Sequence, residues 1–297
     1  MLVWAALLIV AAAMLWHRLL PSPGPTSEVT NDAPPPSRSA AGRPDSPSAL
    51  ASVAHLHQAL KAANPGYNGR GQFVQKDGGI SIADLSKTGV TDLSPLRGLP
   101  LEALDVSGNP LSDLSPVKGM PLRRLGLEDT QVANLGPLRG MPLAELYMNN
   151  APVQDLSPLK GLPLQVLNLY GTAVEDLAPL AGAPLKSLWL NGTRVKDIAP
   201  LAGCPLVSLT LEGTPVADLS PLVGSNLERL HIGRSAVIDL TPIQGLHLAR
   251  LIFTPARITQ GLGVARSMAT LREIGTTLDG RMAPGRFWTL YDQGGLR

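Results

Sequence analysis

The sequence predicts an α/β fold, a right-handed, curved solenoid with a parallel sheet on its inner face and short helical turns on its outer face. Three observations lead to this prediction. A Leu or Ile occupies every twenty-first position without exception, at Leu93, Leu114, Leu135, Leu156, Leu177, Ile198, Leu219 and Leu240. Each period begins with the same strand pattern and ends with a Pro and Gly turn. Stacked units of this kind bury one continuous core, so eight units are predicted to fill residues 80–247.

Each unit begins with a short strand. In the unit 164–184, with the sequence LQVLNLYGTAVEDLAPLAGAP, Leu164, Leu167 and Leu169 stand at positions one, four and six. These apolar side chains are predicted to point into the stack, and the side chains between them to face solvent. Strands of successive units then pair side by side in parallel.

A short polar residue at position nine is predicted to satisfy backbone groups where the chain leaves the sheet. It is Thr88, Asn109, Thr130, Thr172, Thr193 and Thr214 in six units, with Ala151 and Ser235 in the other two. The segment SPLKG at 157–161 predicts a helical turn with Ser as N-cap, Pro at the first helical position and Gly after the last. One strand and one turn fill each unit and make the stack curve.

An apolar run of 16 residues without side-chain charge opens the chain, and Leu19 and Leu20 extend it. Its length approaches the roughly 20 residues that span a bilayer. Residues 1–20 are therefore predicted to be a membrane anchor or a signal segment. An uncleaved anchor is favoured, because no Lys or Arg precedes the run and no small-x-small cleavage site follows it. Residues 21–48 predict a disordered Pro/Ser-rich linker, because they bury too little apolar area to offset their ordering entropy.

Both ends of a solenoid must hide an apolar face, and each end has a predicted cap. Residues 49–79 predict an amino-terminal cap, with a helix from Ser48 to about Ala63 and an apolar side formed by Leu50, Val53, Leu56 and Leu60. Residues 248–297 predict a degenerate repeat and a carboxy-terminal cap. Leu248, Leu251 and Phe253 mark a ninth strand, Leu271 and Ile274 a tenth, and Phe287, Trp288 and Tyr291 an apolar lid.

Composition and motifs argue against catalysis and against a metal or cofactor site. The single Cys204 excludes an intramolecular disulfide and a thiolate cluster. His55 and His57 project about 200° apart on a helix and cannot bind one metal ion together. The sequence contains no phosphate-binding loop, no G-x-S-x-G nucleophile elbow and no H-E-x-x-H helix. Nucleic-acid binding is not predicted, because Lys and Arg are not clustered.

A row of aligned acidic residues is interpreted as structural. It contains Asp92, Asp113, Asp155, Asp176, Asp197, Asp218 and Asp239, and Asn134 interrupts it. Stacked carboxylates can coordinate calcium, which is the alternative interpretation. An Asp just ahead of a helical turn more often bonds nearby amides, so no metal is predicted here.

The inner face carries the predicted ligand site. Tyr147, Tyr170 and Trp189 are the aromatic residues of 80–247 and take outward strand positions in consecutive units. Tyr, Trp and Arg dominate binding hot spots, and rigid rings beside amides suit an extended peptide or a sugar. The predicted ligand-binding residues are Tyr147, Asn149, Asn168, Tyr170, Trp189, Asn191, Arg229 and His231.

The repeated unit resembles that of leucine-rich repeat proteins, in particular bacterial internalin-like arrays of short repeats. A typical unit is LEALDVSGNPLSDLSPVKGMP at 101–121. The flanks NPGYNGRG at 64–71 and RFWTLYDQGG at 286–295 are similar to those of membrane-tethered repeat domains of bacterial Ser/Thr kinase receptors. The sequence has no catalytic His-Arg-Asp or Asp-Phe-Gly element of a kinase. The resemblance covers about residues 50–297 and implies binding without naming a ligand.

The sequence thus predicts a membrane-tethered leucine-rich repeat scaffold that binds a protein or peptide through its concave face, without a cofactor. One alternative is a cell-envelope structural or adhesion protein that binds glycan. A weaker alternative is a hydrolase that uses His231. The predicted location is a single-pass membrane protein, with the repeat domain outside the cytoplasm favoured over inside.

Overall fold

Eleven short strands follow one another in chain order in one sheet. The computed structural model describes residues 53–296. Strands β2 to β11 pair in parallel with their neighbours, and β1 pairs antiparallel with β2. The strands are β1 (Gln72–Lys76), β2 (Gly79–Asp84), β3 (Ala103–Asp105), β4 (Arg124–Gly126), β5 (Glu145–Tyr147), β6 (Val166–Asn168), β7 (Ser187–Trp189), β8 (Ser208–Thr210), β9 (Arg229–His231), β10 (Arg250–Ile252) and β11 (Glu273–Gly275). This topology confirms the predicted curved solenoid.

The register of the parallel strands follows the period of the sequence. Leu146 pairs with Leu167, and Leu167 pairs with Leu188, so identical positions of successive units lie side by side. Leu164, Leu167 and Leu169 are all fully buried, as the strand pattern predicts. Burying one Leu side chain stabilises a fold by about 1.5–3 kcal/mol. The core is one ladder of such side chains along the whole sheet.

The polar residue at position nine satisfies the backbone as predicted. Thr193 Oγ1 donates to the carbonyl oxygen of Leu190 at 2.7 Å. The same bond to the residue three positions earlier forms at Thr88, Thr130, Thr172, Thr214 and Ser235. Asn109 makes six bonds to backbone groups of two successive units, three through Oδ1 and three through Nδ2. These side chains are buried, so they stand in for water at the turn.

The helical turns are 3-10 turns. They span Ser94–Leu96, Ser115–Val117, Gly136–Leu138, Ser157–Leu159, Ala178–Leu180, Ala199–Leu201, Ser220–Leu222 and Thr241–Ile243. The prediction that Ser157 is the N-cap is wrong, because Ser157 is the first residue of its turn and Leu156 precedes it without a side-chain bond. Gly161, after the turn, has a φ of +77°, a left-handed conformation that other residues adopt only with strain.

The Asp residues of the row accept the hydrogen bonds at the start of the turns that Ser side chains were predicted to accept. Asp155 Oδ1 accepts the amide proton of Ser157 at 2.7 Å, and its Oδ2 accepts the hydroxyl proton at 2.8 Å. Every Asp of the row accepts an amide proton two residues later in the same way, and Asn134 does so as well. The interpretation of the row as bonding nearby amides is confirmed.

Helix α1 (Val53–Ala63) covers the amino-terminal end of the core with Leu56 and Leu60. The helix ends before Asn64, which is fully buried. Asn64 Nδ2 donates to the carbonyl oxygens of Leu60 and Asp92, and Oδ1 accepts the amide protons of Thr91 and Asp92. The side chain thus ties the helix to the first repeat.

The antiparallel hairpin of β1 and β2 was not predicted. It joins Gln72 to Asp84 across a turn at Asp77 and Gly78, both of which have positive φ. Asp-Gly is a frequent choice for such a turn, because both residues tolerate the left-handed conformation. The hairpin adds an edge strand to the array. The predicted helix start at Ser48 and the apolar residue Leu50 lie outside the described residues.

At the carboxyl end, β10 and β11 continue the sheet beyond the eighth unit. Helix α2 (Leu262–Ser267) precedes β11, and helix α3 (Pro284–Asp292) follows it. Phe287 and Trp288 on α3 are buried, and the Phe287 ring centroid lies 5.8 Å from that of Phe253 and 5.1 Å from that of Trp288. Tyr291 continues this ring cluster at 5.7 Å from Trp288.

The predicted anchor at 1–20 and the predicted linker at 21–48 lie outside the described residues. Between residues 53 and 296, none of the helices is both long and apolar enough to cross a bilayer.

Candidate ligand-binding face

Three rows of side chains cross the sheet on its concave face. Side chains alternate along a strand, so the first and third residues of each three-residue strand lie opposite the core. The central row consists of Asp84, Asp105, Gly126, Tyr147, Asn168, Trp189, Thr210, His231 and Ile252. The entry row, two residues earlier, consists of Ile82, Ala103, Arg124, Glu145, Val166, Ser187, Ser208, Arg229 and Arg250. The exit row, two residues later, consists of Ser86, Ser107, Glu128, Asn149, Tyr170, Asn191, Glu212, Gly233 and Thr254.

Two of the three predicted rings share the central row. Tyr147 pairs in register with Asn168, and Asn168 pairs with Trp189. Adjacent strands lie about 4.8 Å apart, so the two rings stand about 10 Å apart with one amide between them. Tyr170 lies in the exit row between Asn149 and Asn191. All three rings are partly exposed.

The predicted amides are buried beside these rings. Asn149, Asn168 and Asn191 are between 4% and 7% exposed. Asn168 Oδ1 accepts the amide proton of Tyr170 at 3.0 Å. Asn191 Nδ2 donates to Glu212 Oε2 at 3.1 Å, and its Oδ1 accepts from the hydroxyl of Thr210. Asn149 Oδ1 is buried and has no hydrogen-bond partner among the described residues. The rings, rather than the amides, are therefore the accessible part of this group.

An ion pair between buried Arg124 and half-buried Glu145 supports the Tyr147 ring. Arg124 is 7% exposed, and its Nε lies 3.4 Å from Glu145 Oε2. The same carboxylate oxygen accepts the Tyr147 hydroxyl proton at 3.0 Å, and Arg124 Cζ lies 5.5 Å from the Tyr147 ring centroid. Burial and the Glu145 charge raise the pKa of Tyr147, so its hydroxyl stays protonated. The three side chains fix each other's orientation.

Carboxyl groups crowd the first part of the face. Burial, and then the charges of Asp105 and Asp129, raise the pKa of Glu128 to about 7. Burial also raises the pKa of Asp105, and the charge of Asp84 adds to the effect. Lys87 and Arg124 counteract the rise at Glu128 without cancelling it. This end of the face is therefore acidic, with carboxylates that repel one another.

Gly126 leaves space for the carboxylate of Asp105. It is the only glycine of the central row as defined above, and a Cβ built there would lie 2.6 Å from Asp105 Oδ1. Asp105 thus leans towards the neighbouring strand, and its Oδ1 accepts the amide proton of Ser107, two residues later in its own unit, at 2.9 Å. A glycine at an outward strand position is the sequence signal for this arrangement.

His231 is buried in the second part of the face, at 3% exposure. Within residues 53–296, neither ring nitrogen has a hydrogen-bond partner, and Nε2 lies 3.8 Å from Glu212 Oε2. The other oxygen of Glu212 accepts a bond from Arg234. Burial lowers the pKa of His231 to about 4 against the opposing effect of Glu212, so the ring is neutral at neutral pH. A Cβ on Gly233 would lie 2.9 Å from Nε2, so the ring fills space that this glycine leaves open.

Arg229 is the exposed cation of the same strand. It lies in register with Ser208 on one side and with Arg250 on the other. Arg250 pairs with Glu273 through Nε at 2.5 Å, whereas Arg229 forms no ion pair with any residue of 53–296. Of the eight predicted ligand-binding residues, the three rings and Arg229 are accessible, and the three amides and His231 are buried beneath or beside them.

Neither a metal-binding cluster nor a reactive thiol is found in the part of the chain that the structure describes. Over residues 53–296, no three His, Cys, Asp or Glu side chains lie close enough together to hold a metal ion. Cys204 is buried, and burial raises the pKa of its thiol, which disfavours the reactive thiolate.

Comparisons with known proteins identify structural rather than sequence relatives. A scan of protein-family models and a search of curated proteins give no match. The structure is similar to that of an internalin C2 from Listeria monocytogenes, with 28% identity and a TM-score of 0.58, over 67% of this chain and 92% of that one. It is also similar in fold to an internalin F from the same species, with 23% identity and a TM-score of 0.55, over 74% and 73% of the two chains. Together with the periodic register and the parallel sheet, these matches show that the chain has the leucine-rich repeat fold, with an array of short repeats similar to those of internalins.

Proposed function

We propose that this protein binds a protein or peptide ligand through its concave face, with Tyr147, Tyr170 and Trp189 as the main contacts, and that it carries out no catalysis. The observation that carries the proposal is the position of the three partly exposed rings in consecutive units of a rigid sheet. Large aromatic side chains at the centre of an interface contribute most of the binding free energy in many complexes.

Ordering of the Tyr147 side chain before a ligand arrives favours tight binding. The Tyr147 hydroxyl is bonded to Glu145, and the backbone of Tyr170 is bonded to Asn168. Side chains that are already ordered lose little conformational entropy when a ligand binds. The similarity to internalin arrays further supports a repeat scaffold for protein interaction.

The test selects ligands from a phage-displayed library of random peptides on the wild-type protein. Peptides that enrich are then measured on a triple variant, Tyr147→Ala, Tyr170→Ala and Trp189→Ala. We expect at least a tenfold loss of affinity, because the rings supply most of the contact area. The control is the double variant Val223→Ala and Ile238→Ala, which removes exposed apolar side chains outside the three rows. Equal affinity for the wild-type protein and a folded triple variant would overturn the proposal.

A glycan ligand is the second candidate function. Tyr147 and Trp189 flank an amide on one row, and sugars bind to such aromatic and amide surfaces. Retention of the protein on insoluble peptidoglycan or polysaccharide, lost in the triple variant, would favour this candidate. Retention that the triple variant keeps would count against it.

We also propose that residues 1–20 tether the protein to a membrane, with the repeats outside the cytoplasm. The uncharged apolar run supports this proposal. Protease treatment of intact cells, after permeabilisation of any outer envelope, is expected to digest the repeat domain. Protection until the cells are lysed would contradict the proposed location.

A further inference from the structure

The two ends of the concave face differ in charge. Around β3 and β4, Asp84 and Asp105 are neighbours in register, and the charges of Asp105 and Asp129 raise the pKa of Glu128. The cations that oppose this rise are Lys87 and Arg124. Arg124 is already paired with Glu145. Like charges held together in the free protein repel each other, and a cationic group of a ligand relieves that repulsion.

The opposite arrangement is found at β9 and β10. Arg229 and Arg250 are neighbours in register, and Arg250 alone of the two has a carboxylate partner, Glu273. Arg229 is exposed. A carboxylate from outside the chain would be attracted to this position, because exposed guanidinium groups bind carboxylates in a bidentate geometry.

The aromatic group lies between these two charged regions. Tyr147 on β5 and Trp189 on β7 follow the acidic strands and precede the strand of Arg229. Five or six strand intervals separate β4 or β3 from β9, which corresponds to about 24–29 Å. An extended chain covers about 3.3 Å per residue, so about eight residues span the distance.

We infer that the concave face binds an extended peptide laid across the strands, with a basic side chain over β3 and β4 and an acidic side chain at Arg229, about eight residues apart. Its apolar middle contacts Tyr147 and Trp189. This inference rests on the proposed function and adds to it the charge pattern of the ligand and its position on the array. Two side chains with unpartnered polar atoms, Asn149 and His231, lie along the same path and are both more than nine-tenths buried.

The test uses labelled synthetic peptides and fluorescence anisotropy at low ionic strength. The first peptide has a lysine pair and a glutamate pair separated by six neutral residues drawn from Ser, Pro and Leu. The second has the same composition with the two pairs adjacent. We expect at least fivefold tighter binding of the first peptide, because only that spacing reaches both charged ends. Equal affinity of the two peptides, or no binding of the first at 1 mM, would overturn the inference.

Variants then locate the charged ends. The double variant Asp105→Asn and Glu128→Gln is expected to weaken binding of the spaced peptide at least fivefold. Its effect should fall below twofold for a peptide in which Gln replaces Lys. Arg229→Gln is likewise expected to weaken binding of the spaced peptide at least fivefold. Its effect should fall below twofold for a peptide in which Gln replaces Glu. The control is Glu175→Gln with Asp279→Asn, two exposed acidic residues outside the three rows. A loss of affinity that persists when Gln replaces the charged residue of the peptide would contradict the assignment of that charge to its end of the face.

The pH dependence of binding gives an independent readout. Glu128 ionises near neutrality, under the influence of Asp105, Asp129, Lys87 and Arg124. Affinity for the spaced peptide should therefore rise between pH 6 and pH 8, and Glu128→Gln should abolish the rise. A rise that survives this substitution would remove Glu128 from the binding region.

The selected library peptides separate this inference from the proposed function. Peptides that need the three rings but lack the spaced charge pattern would leave the proposed function standing and overturn the inference. Peptides with the charge pattern whose binding ignores the rings would overturn the proposed function and leave only the charged contacts of the inference.

Discussion

At the scale of single residues, folding shifts the pKa values of two groups on the concave face in opposite directions. Glu128 binds its proton more tightly in the folded protein than in the unfolded chain, and His231 binds its proton less tightly. Burial is the first cause of both, because it disfavours whichever form is charged. The two residues therefore give the stability of the protein opposite pH dependences.

Replacing Glu128 should stabilise the protein at alkaline pH. Its pKa rises from 4.5 to about 7 on folding, so the folded state loses stability as the pH rises from 4.5 through 7. Glu128→Gln is expected to raise the free energy of unfolding at pH 8 by about 1–2 kcal/mol, with solvent screening allowed for. Urea unfolding at pH 5 and pH 8 measures the difference, with Glu175→Gln as the control. An equal gain at both pH values would show that charge is not the cause.

Replacing His231 should remove a loss of stability in acid. Its pKa falls from 6.5 to about 4 on folding, so the folded state loses stability as the pH falls from 6.5 towards 4. His231→Leu is expected to reduce that loss by about 1–3 kcal/mol, because no proton is then taken up on unfolding. Thermal unfolding between pH 4 and pH 7 measures it, with the exposed His247→Leu as the matched control. An unchanged slope for His231→Leu would contradict the assignment.

At the scale of the element, each unit satisfies its own turns with side chains. Thr193 returns its hydroxyl to the strand, and Asp155 holds the start of a 3-10 turn. Position nine could be predicted because the choice of Thr, Asn or Ser is local. The cap of the turn was mispredicted because Asp and Ser are both good capping residues, and only the backbone geometry at Leu156 decides between them.

Asn109 should be the most sensitive position-nine residue. Its six hydrogen bonds serve two units, whereas Thr172 makes one side-chain bond. Buried backbone groups left without partners cost about 1–3 kcal/mol each. Asn109→Ala is therefore expected to lower the free energy of unfolding by at least about 3 kcal/mol, against about 1 kcal/mol for Thr172→Ala. Urea unfolding compares the two, and similar losses would show that the additional bonds contribute little.

At the scale of the whole molecule, the fold was predictable and the details of the face were not. The constant period determines which side chains enter the core, so the sheet order follows from the spacing of residues such as Leu156 and Leu177. The burial of Asn168 and His231 depends on neighbours one strand away, and a pattern within one unit does not reveal it. The same holds for the ion pair between Arg124 on β4 and Glu145 on β5.

Deleting one period should shorten the face without destroying the fold. Removal of residues 164–184 keeps the register, because Ser187 then pairs with Glu145 as Val166 does now. The variant is expected to unfold cooperatively with a lower midpoint, since repeat stability is approximately a sum over units. It should also prefer peptides shorter by one or two residues between the charges, because one strand interval of about 4.8 Å is lost. An unchanged preference would contradict the lengthwise orientation of the ligand.

The self-contained turns have a mechanical consequence. From Ser94 to Leu222, the hydrogen bonds within each 3-10 turn and to its Asp or Asn cap stay inside one unit, whereas the strands are bonded continuously across units. The inner side of the array is therefore hard to stretch. The outer turns of successive units are joined mainly by apolar contacts, which have no fixed direction and let the turns shift. Under load, the array bends by separating its outer turns, while the spacing between strands stays constant. The curvature of the array can therefore change while the spacing of the side chains on the inner face stays constant.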